Sequence, residues 1–111
     1  MKLIGKDNGN MVRLKFLYSA VDDLSNKSEI TVTDYLALSA FVTAEKNDLE
    51  SYKSGLQESG SELSKEAEAY LDLLYRMAAD LSYTGAGIES AVHCAQSTAS
   101  WDFYHWDLDK E

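Results

Sequence analysis

The chain predicts an all-α fold, a compact antiparallel bundle of three to four helices. Three observations carry that expectation. Its 111 residues include no proline and only six glycines, so few backbone breakers interrupt it. Apolar residues recur at three- and four-residue spacing along most of its length, the period of a helix with one buried face. At 45% apolar and 26% charged, the composition is that of a folded domain and not of a disordered chain. A chain this short fits a single helical domain, residues 1–111, because two independent cores could not each bury enough surface.

The first helix is expected from about Asn10 to Leu24, where Leu14, Leu17, Val21 and Leu24 form a stripe with Phe16 and Ala20 alongside. Asn8-Gly9 is a two-residue hairpin signal, flanked by Lys2-Leu3-Ile4 and by the alternating Val12-Arg13-Leu14-Lys15-Phe16. A short N-terminal β-hairpin over residues 1–16 is therefore the alternative to an early helix. The second helix is marked by Thr31 and Asp34 at capping-box spacing, with Ile30 and Tyr35 placed as a hydrophobic staple. It should run to Lys53 on a stripe of Tyr35, Leu38, Val42, Leu49 and Tyr52, with Gly55 ending it. The polar segment from Gly55 to Ser61 reads as the turn between two long antiparallel helices.

The third helix has the cleanest period. Leu63, Ala67, Tyr70, Leu71, Leu74, Met77, Ala78 and Leu81 share one face, and Gly85 lies just beyond as a stop. A fourth helix follows from about Ala86 to Ala99 with Ile88, Ala91, Val92, Ala95 and Ala99 inward, small enough to let backbones approach closely. An aromatic, acidic C-terminal tail closes the chain: Ser100 to Glu111 holds four aromatic rings and four carboxylates. There is no internal repeat and no low-complexity tract.

Composition excludes several function classes. Cys94 is the only cysteine, so no intrachain disulfide forms, and a reducing cytoplasmic setting is expected. The N-terminus lacks the apolar run of a signal peptide, and no stretch has the ~18 consecutive apolar residues of a membrane span. The net charge of −9 repels phosphate backbones and anionic lipid, which argues against direct nucleic-acid or membrane binding and for a basic protein partner.

Catalytic and metal chemistry find little to build on. His93 and Cys94 are adjacent, so on a helix they point about 100° apart, and a nucleophile–base pair would have to recruit His105. The plainer expectation for Cys94 is a buried, small apolar residue. Glu89 and His93 sit four apart and could join His105 or Cys94 on a metal, but no His-Glu-x-x-His, Cys-x-x-Cys or paired Glu-x-x-His motif accompanies them. Gly85-Ala86-Gly87 lacks the lysine and spacing of a phosphate-binding loop and reads as helix punctuation. The expectation is a protein that is not an enzyme and carries no cofactor or metal.

Charge distribution is more informative. Residues 54–111 hold eleven acids against three bases, and residues 1–53 hold eight against seven. On the second helix Lys46, Glu50 and Lys53 alternate in sign, as on any solvated face. On the third, Glu62 and Glu66, then Glu68 and Asp72, stand four apart as like charges, each pair costing a few tenths of a kcal/mol. The positive helix N-terminus accounts for Glu62 and Glu66, while Glu68, Asp72 and Asp80 lie too deep for it. In the tail, Trp101, Tyr104 and Trp106 are candidate anchors among Asp102, Asp107 and Asp109, with a lid over the bundle as the competing role of the rings.

These residues together suggest a stoichiometric inhibitor whose carboxylates and rings occupy a basic, nucleic-acid-binding surface of a partner. A carboxylate can take the place of a phosphate because both present anionic oxygens to Arg and Lys. The rival is a homodimeric helical adaptor or regulatory subunit, suggested by Leu73 and Tyr75 outside the third helix's main stripe. In size and charge alone the chain resembles two groups of small acidic proteins: phage-encoded inhibitors of bacterial defence such as anti-CRISPR proteins, and immunity proteins that neutralise nuclease toxins. The resemblance covers no motif and transfers no residue.

Overall fold

The computed structural model describes residues 4–105, and the side-chain surroundings of residues 13–101. It is an all-helical bundle of α1 (Ile4–Ser25), α2 (Val32–Glu58), α3 (Lys65–Ser82) and α4 (Ile88–His105), with no strand among the described residues. Contacts between helices set the directions. The start of α2 meets the end of α3 where the Tyr35 hydroxyl donates to the Leu81 carbonyl, and the end of α2 meets the start of α3 where Lys53 pairs with Glu68. Arg13 faces Glu45 and Phe16 faces Phe41, so α1 runs against α2. The Thr98 hydroxyl donates to Asp80 across α4 and α3, and the Gln96 amide donates to Asp22 across α4 and α1. α1, α2 and α3 therefore alternate in direction, and α4 packs on both α3 and α1 near their C-terminal ends.

Within α1, Leu14, Leu17 and Val21 are fully buried, as their spacing predicts. Val12–Phe16, the second strand of the hairpin alternative, lies inside this helix, while Lys2 and Leu3, which would open that hairpin, fall outside the described residues. The capping box of α2 forms as expected. Thr31 Oγ1 accepts from the Asp34 N–H at 3.1 Å and the Thr31 N–H donates to the Asp34 carboxylate at 3.1 Å, satisfying two otherwise orphaned donors. Buried Ile30 and half-buried Tyr35 join the same core beside it.

Gly55 does not end α2. It is held inside the helix, and the stop comes one turn later at Gly60, the residue with φ +81°. There the Gly60 N–H donates to the Gln57 carbonyl at 3.1 Å and the Ser61 N–H to the Leu56 carbonyl at 2.7 Å, the paired bonds of a Schellman motif. Consequently α3 begins at Lys65, capped by the Ser64 hydroxyl at 3.1 Å from the Ala67 N–H, and Glu62 belongs to the connecting turn and not to the helix. Leu63 is still buried, although it precedes the helix.

The core is centred on α3. Ala67, Tyr70, Leu71, Leu73, Leu74, Met77 and Leu81 are all buried, each large one contributing about 1.5–3 kcal/mol relative to exposure. Leu73, expected outside the stripe, is fully buried because α3 is covered on more than one side, by α2, α4 and α1. The Gly85–Gly87 stretch is a turn, as its composition suggests. The Gly87 N–H closes onto the Thr84 carbonyl at 2.9 Å with φ +106°, and its own carbonyl takes the Ala91 N–H at the start of α4. On α4, Ala91, Val92, Ala95 and Ala99 are buried, and the helix continues past Ala99 to His105, so Trp101, Asp102 and Tyr104 belong to it. No described helix is long and apolar enough to cross a membrane.

Candidate functional site

The acids singled out on and around α3 are not one surface. At about 100° per residue, Glu68 lies on the edge of α3 that borders α2, Asp72 lies in the middle of its exposed face, and Asp80 lies on the other edge, toward α4. The first two are answered by bases. Glu68 takes the Lys53 ammonium at 3.3 Å, and Asp72 takes the Arg76 guanidinium at 3.0 Å one turn along. Lys46 adds a third cation on the edge that borders α2, 5.1 Å over the ring of Tyr75 while also pairing with Glu50. Asp80 is half-buried and accepts the Thr98 hydroxyl at 2.6 Å, a short charge-assisted bond that ties α3 to α4. Its role in the fold is positional.

Glu62 and Glu66 differ. Both are exposed and neither has an ion pair among the described residues. Glu66 occupies the first turn of α3, where the helix N-terminus favours a carboxylate, and so does Glu68, which corrects the expectation that it lies too deep, because α3 starts only at Lys65. Glu62 sits in the turn just ahead of it. Glu58, which the sequence pattern did not single out, is the last residue of α2 and places a carboxylate at the negative end of a helix that has no base in its last turn. That local penalty was the available signal. The antiparallel packing of α2 on α3 brings Glu58, Glu62 and Glu66 to one end of the bundle, where the two helices are joined.

Of the tail residues, Trp101 is described: it is 61% exposed, on the outer side of α4 opposite buried Ala91, Val92, Ala95 and Ala99. The side chains of Asp102 and Tyr104 lie outside those described, and Trp106, Asp107 and Asp109 lie outside the described residues altogether. Leu73 is fully enclosed by its own chain, which removes one of the two residues that suggested a homodimer; Tyr75 is exposed under Lys46.

Cys94 corrects the expectation of a buried thiol, since it is exposed on the outer side of α4 with His93 beside it. The burial of Val92 and Ala95 on the opposite face accounts for this. Glu89 and His93 are exposed too, and His105 lies outside the described side chains. Among the described residues no three His, Cys, Asp or Glu side chains come together to hold a metal ion.

Summed over residues 13–101, pairing is one-sided. Five of the seven bases, Arg13, Lys27, Lys46, Lys53 and Arg76, are held in ion pairs with the chain's own acids. Nine of the fourteen acids in the same stretch have no ion pair among the described residues. Compared with protein-family models, with curated proteins and with solved structures, the chain matches none.

Proposed function

We propose that this protein is a stoichiometric inhibitor that occupies a basic, nucleic-acid-binding surface of a partner protein. The observation that carries the reading is the one-sided pairing: most described bases are already engaged, and the surface offers an excess of unengaged carboxylates. Such a surface steers a basic partner into contact and repels nucleic acid. The contact is assigned to Glu62 and Glu66 at the acidic end of the bundle, with Asp102, Asp107 and Asp109 of the C-terminal segment as further charge donors. Trp101, Tyr104 and Trp106 supply the rings that anchor it. Glu68 and Asp72 have a smaller part, because a partner's arginine must first displace Lys53 or Arg76.

Affinity purification of the tagged full chain from its native host, with identification of what is captured, tests this. The expected result is a basic protein captured in one-to-one ratio, whose nucleic-acid binding in a mobility-shift assay is blocked by the chain. Charge reversal at Glu62→Lys and Glu66→Lys, combined with Asp102→Asn, Asp107→Asn and Asp109→Asn, should release it. Capture unaffected by those changes, or a captured partner that still binds nucleic acid, overturns the proposal.

A further inference from the structure

We infer that the exposed face shared by α1 and the first half of α2 is a second docking surface, built for an amphipathic basic helix of a partner protein. The reading goes beyond the acidic end of the bundle and does not depend on it. From Tyr35 to Ala44 the chain carries no charged residue. The core uses one side of that segment, Leu38 and Val42. Its other side is exposed: Val32 at 61% and Leu36 at 57%, then Ala37, Ala40 and Ala44 leading round the helix to Phe41. Phe41 meets Phe16 of α1, itself 62% exposed, edge to face at 5.7 Å between centroids. The pair carries the uncharged surface across from α2 to α1.

Exposed large apolar side chains that the core does not need mark an interaction surface, and here Ala37, Ala40 and Ala44 bridge the roughly 140° of α2 between Leu36 and Phe41. The aromatic pair holds the Phe16 ring in place, so little side-chain freedom is lost on binding. From Val32 to Ala44 the face is about 18 Å long at 1.5 Å per residue, enough for three turns of a partner helix laid along it.

The charges around this face select the occupant. Asp23 lies two turns beyond Phe16 on α1, Asp48 lies one turn beyond Ala44 on α2, and Glu29 is in the turn that joins the helices. All three are exposed and have no ion pair among the described residues. Of the nearby bases, Arg13 is engaged by Glu45 and Lys27 by Asp34, which leaves Lys15 beside Phe16 as a single exposed base against the three acids. An uncharged centre with an acidic rim complements an apolar stripe flanked by lysine or arginine. A second copy of this chain would set the same acids against each other, and an anionic membrane would meet a chain of net charge −9.

The test is a titration of the isotope-labelled full chain, followed by NMR, with a synthetic 18-residue amphipathic helix bearing leucine on one side and lysine on the other. A control peptide carries glutamate in place of lysine. Shift changes should centre on Phe16, Leu36, Ala40 and Phe41, and the control should not bind. Because Phe16 and Leu36 are exposed, the double variant Phe16→Ser, Leu36→Ser should keep the helical circular dichroism and bind the lysine peptide about tenfold more weakly. The Glu62→Lys, Glu66→Lys variant should still show shift changes at the same four residues. Equal binding by the double variant, or changes centred on Glu62 and Glu66, would show non-specific charge attraction and overturn the assignment. A dimer of the unaltered chain in sedimentation that the double variant abolishes would name a second copy as the occupant and overturn it as well.

Discussion

Replacing Tyr70 with phenylalanine should make this protein more stable. Tyr70 is wholly enclosed at the centre of α3, and its hydroxyl has no hydrogen-bond partner among the described residues. A buried hydroxyl without a partner costs about 1–3 kcal/mol of lost hydration, and Tyr70→Phe removes that cost while keeping the ring in the core. The small void left behind forfeits a few tenths of a kcal/mol of dispersion, so the net gain should be about 1 kcal/mol. For a chain of this length that is a rise in Tm of about 4 °C, read by calorimetry, with an unchanged denaturant slope in urea. A pH series isolates the cause. Burial first, and the Glu45 carboxylate second, raise the Tyr70 pKa above the ordinary 10.0, with Arg13 acting the other way. In the unfolded chain the phenol ionises at its ordinary value, so above pH 10 the native state holds a proton that the unfolded state has lost. Stability present below that pH is then lost as pH rises, by about 1.4 kcal/mol per unit, until the native phenol ionises as well. Phenylalanine has no such loss, so the gap between the two proteins should be flat below pH 10 and widen above it. A variant destabilised by more than about 0.5 kcal/mol would refute the reasoning, since it would mean that a buried water joins the hydroxyl to a partner such as Glu45 Oε1, which faces Arg13 without a hydrogen bond.

Two further outcomes follow from the backbone and from the cap of α2. Gly60→Ala places a β-carbon at φ +81° and should cost about 1 kcal/mol, whereas Gly55→Ala fills open space within a helix and should gain about 0.5–1 kcal/mol. Urea denaturation of the two variants should give opposite signs. Asp34 is held below the ordinary carboxylate value of 3.8, chiefly by its bond from Lys27 and then by the Thr31 N–H, so its contribution is present above that pH and is lost as pH falls through the lowered native value. The stability gap between the unaltered protein and Asp34→Asn should hold from pH 7 to pH 5 and close below about pH 4.

Most of the fold was legible because each helix advertises itself locally. The Thr31–Asp34 cap, the Ala91–Ala99 face and the α3 stripe all form where their spacing put them. Misreadings arose where two local signals competed or where a third element intervened. The stop of α2 was expected at Gly55, and the paired Schellman bonds formed at Gly60 instead. That choice moved the start of α3 and took Glu62 off the helix. Leu73 and Cys94 were both misplaced for a related reason. A helical stripe tells which face packs first, but how wide a face is covered depends on how many neighbours it has. α3 packs broadly against both α2 and α4 as well as meeting α1, and buries Leu73, whereas α4 rests on α3 and α1 along a narrow strip of alanine and valine, barely meets α2, and leaves Cys94 outside.

The candidate site was less legible because sequence counts charges and the surface displays only what internal pairing leaves over. Along the chain, Lys46, Glu50 and Lys53 look self-contained on α2, and Glu68 and Asp72 look bare on α3. Antiparallel packing redistributes them: Lys53 crosses to Glu68, Lys46 settles over Tyr75, and Arg76 turns back one helical turn to Asp72. Exposed pairs of this kind contribute only about 0–1 kcal/mol each, so their main effect is on what a partner meets. They quiet the α2–α3 edge and leave unpaired acids at the turn between the same two helices, and others around the uncharged face of α1 and α2. A partner drawn by the net −9 therefore meets two different surfaces, one where charge alone is offered and one where charge surrounds apolar side chains. Salt separates them. Attraction to Glu58, Glu62 and Glu66 falls as the Debye length shortens from about 10 Å at 0.1 M toward 3 Å at 1 M, while burial of Phe16 and Leu36 persists.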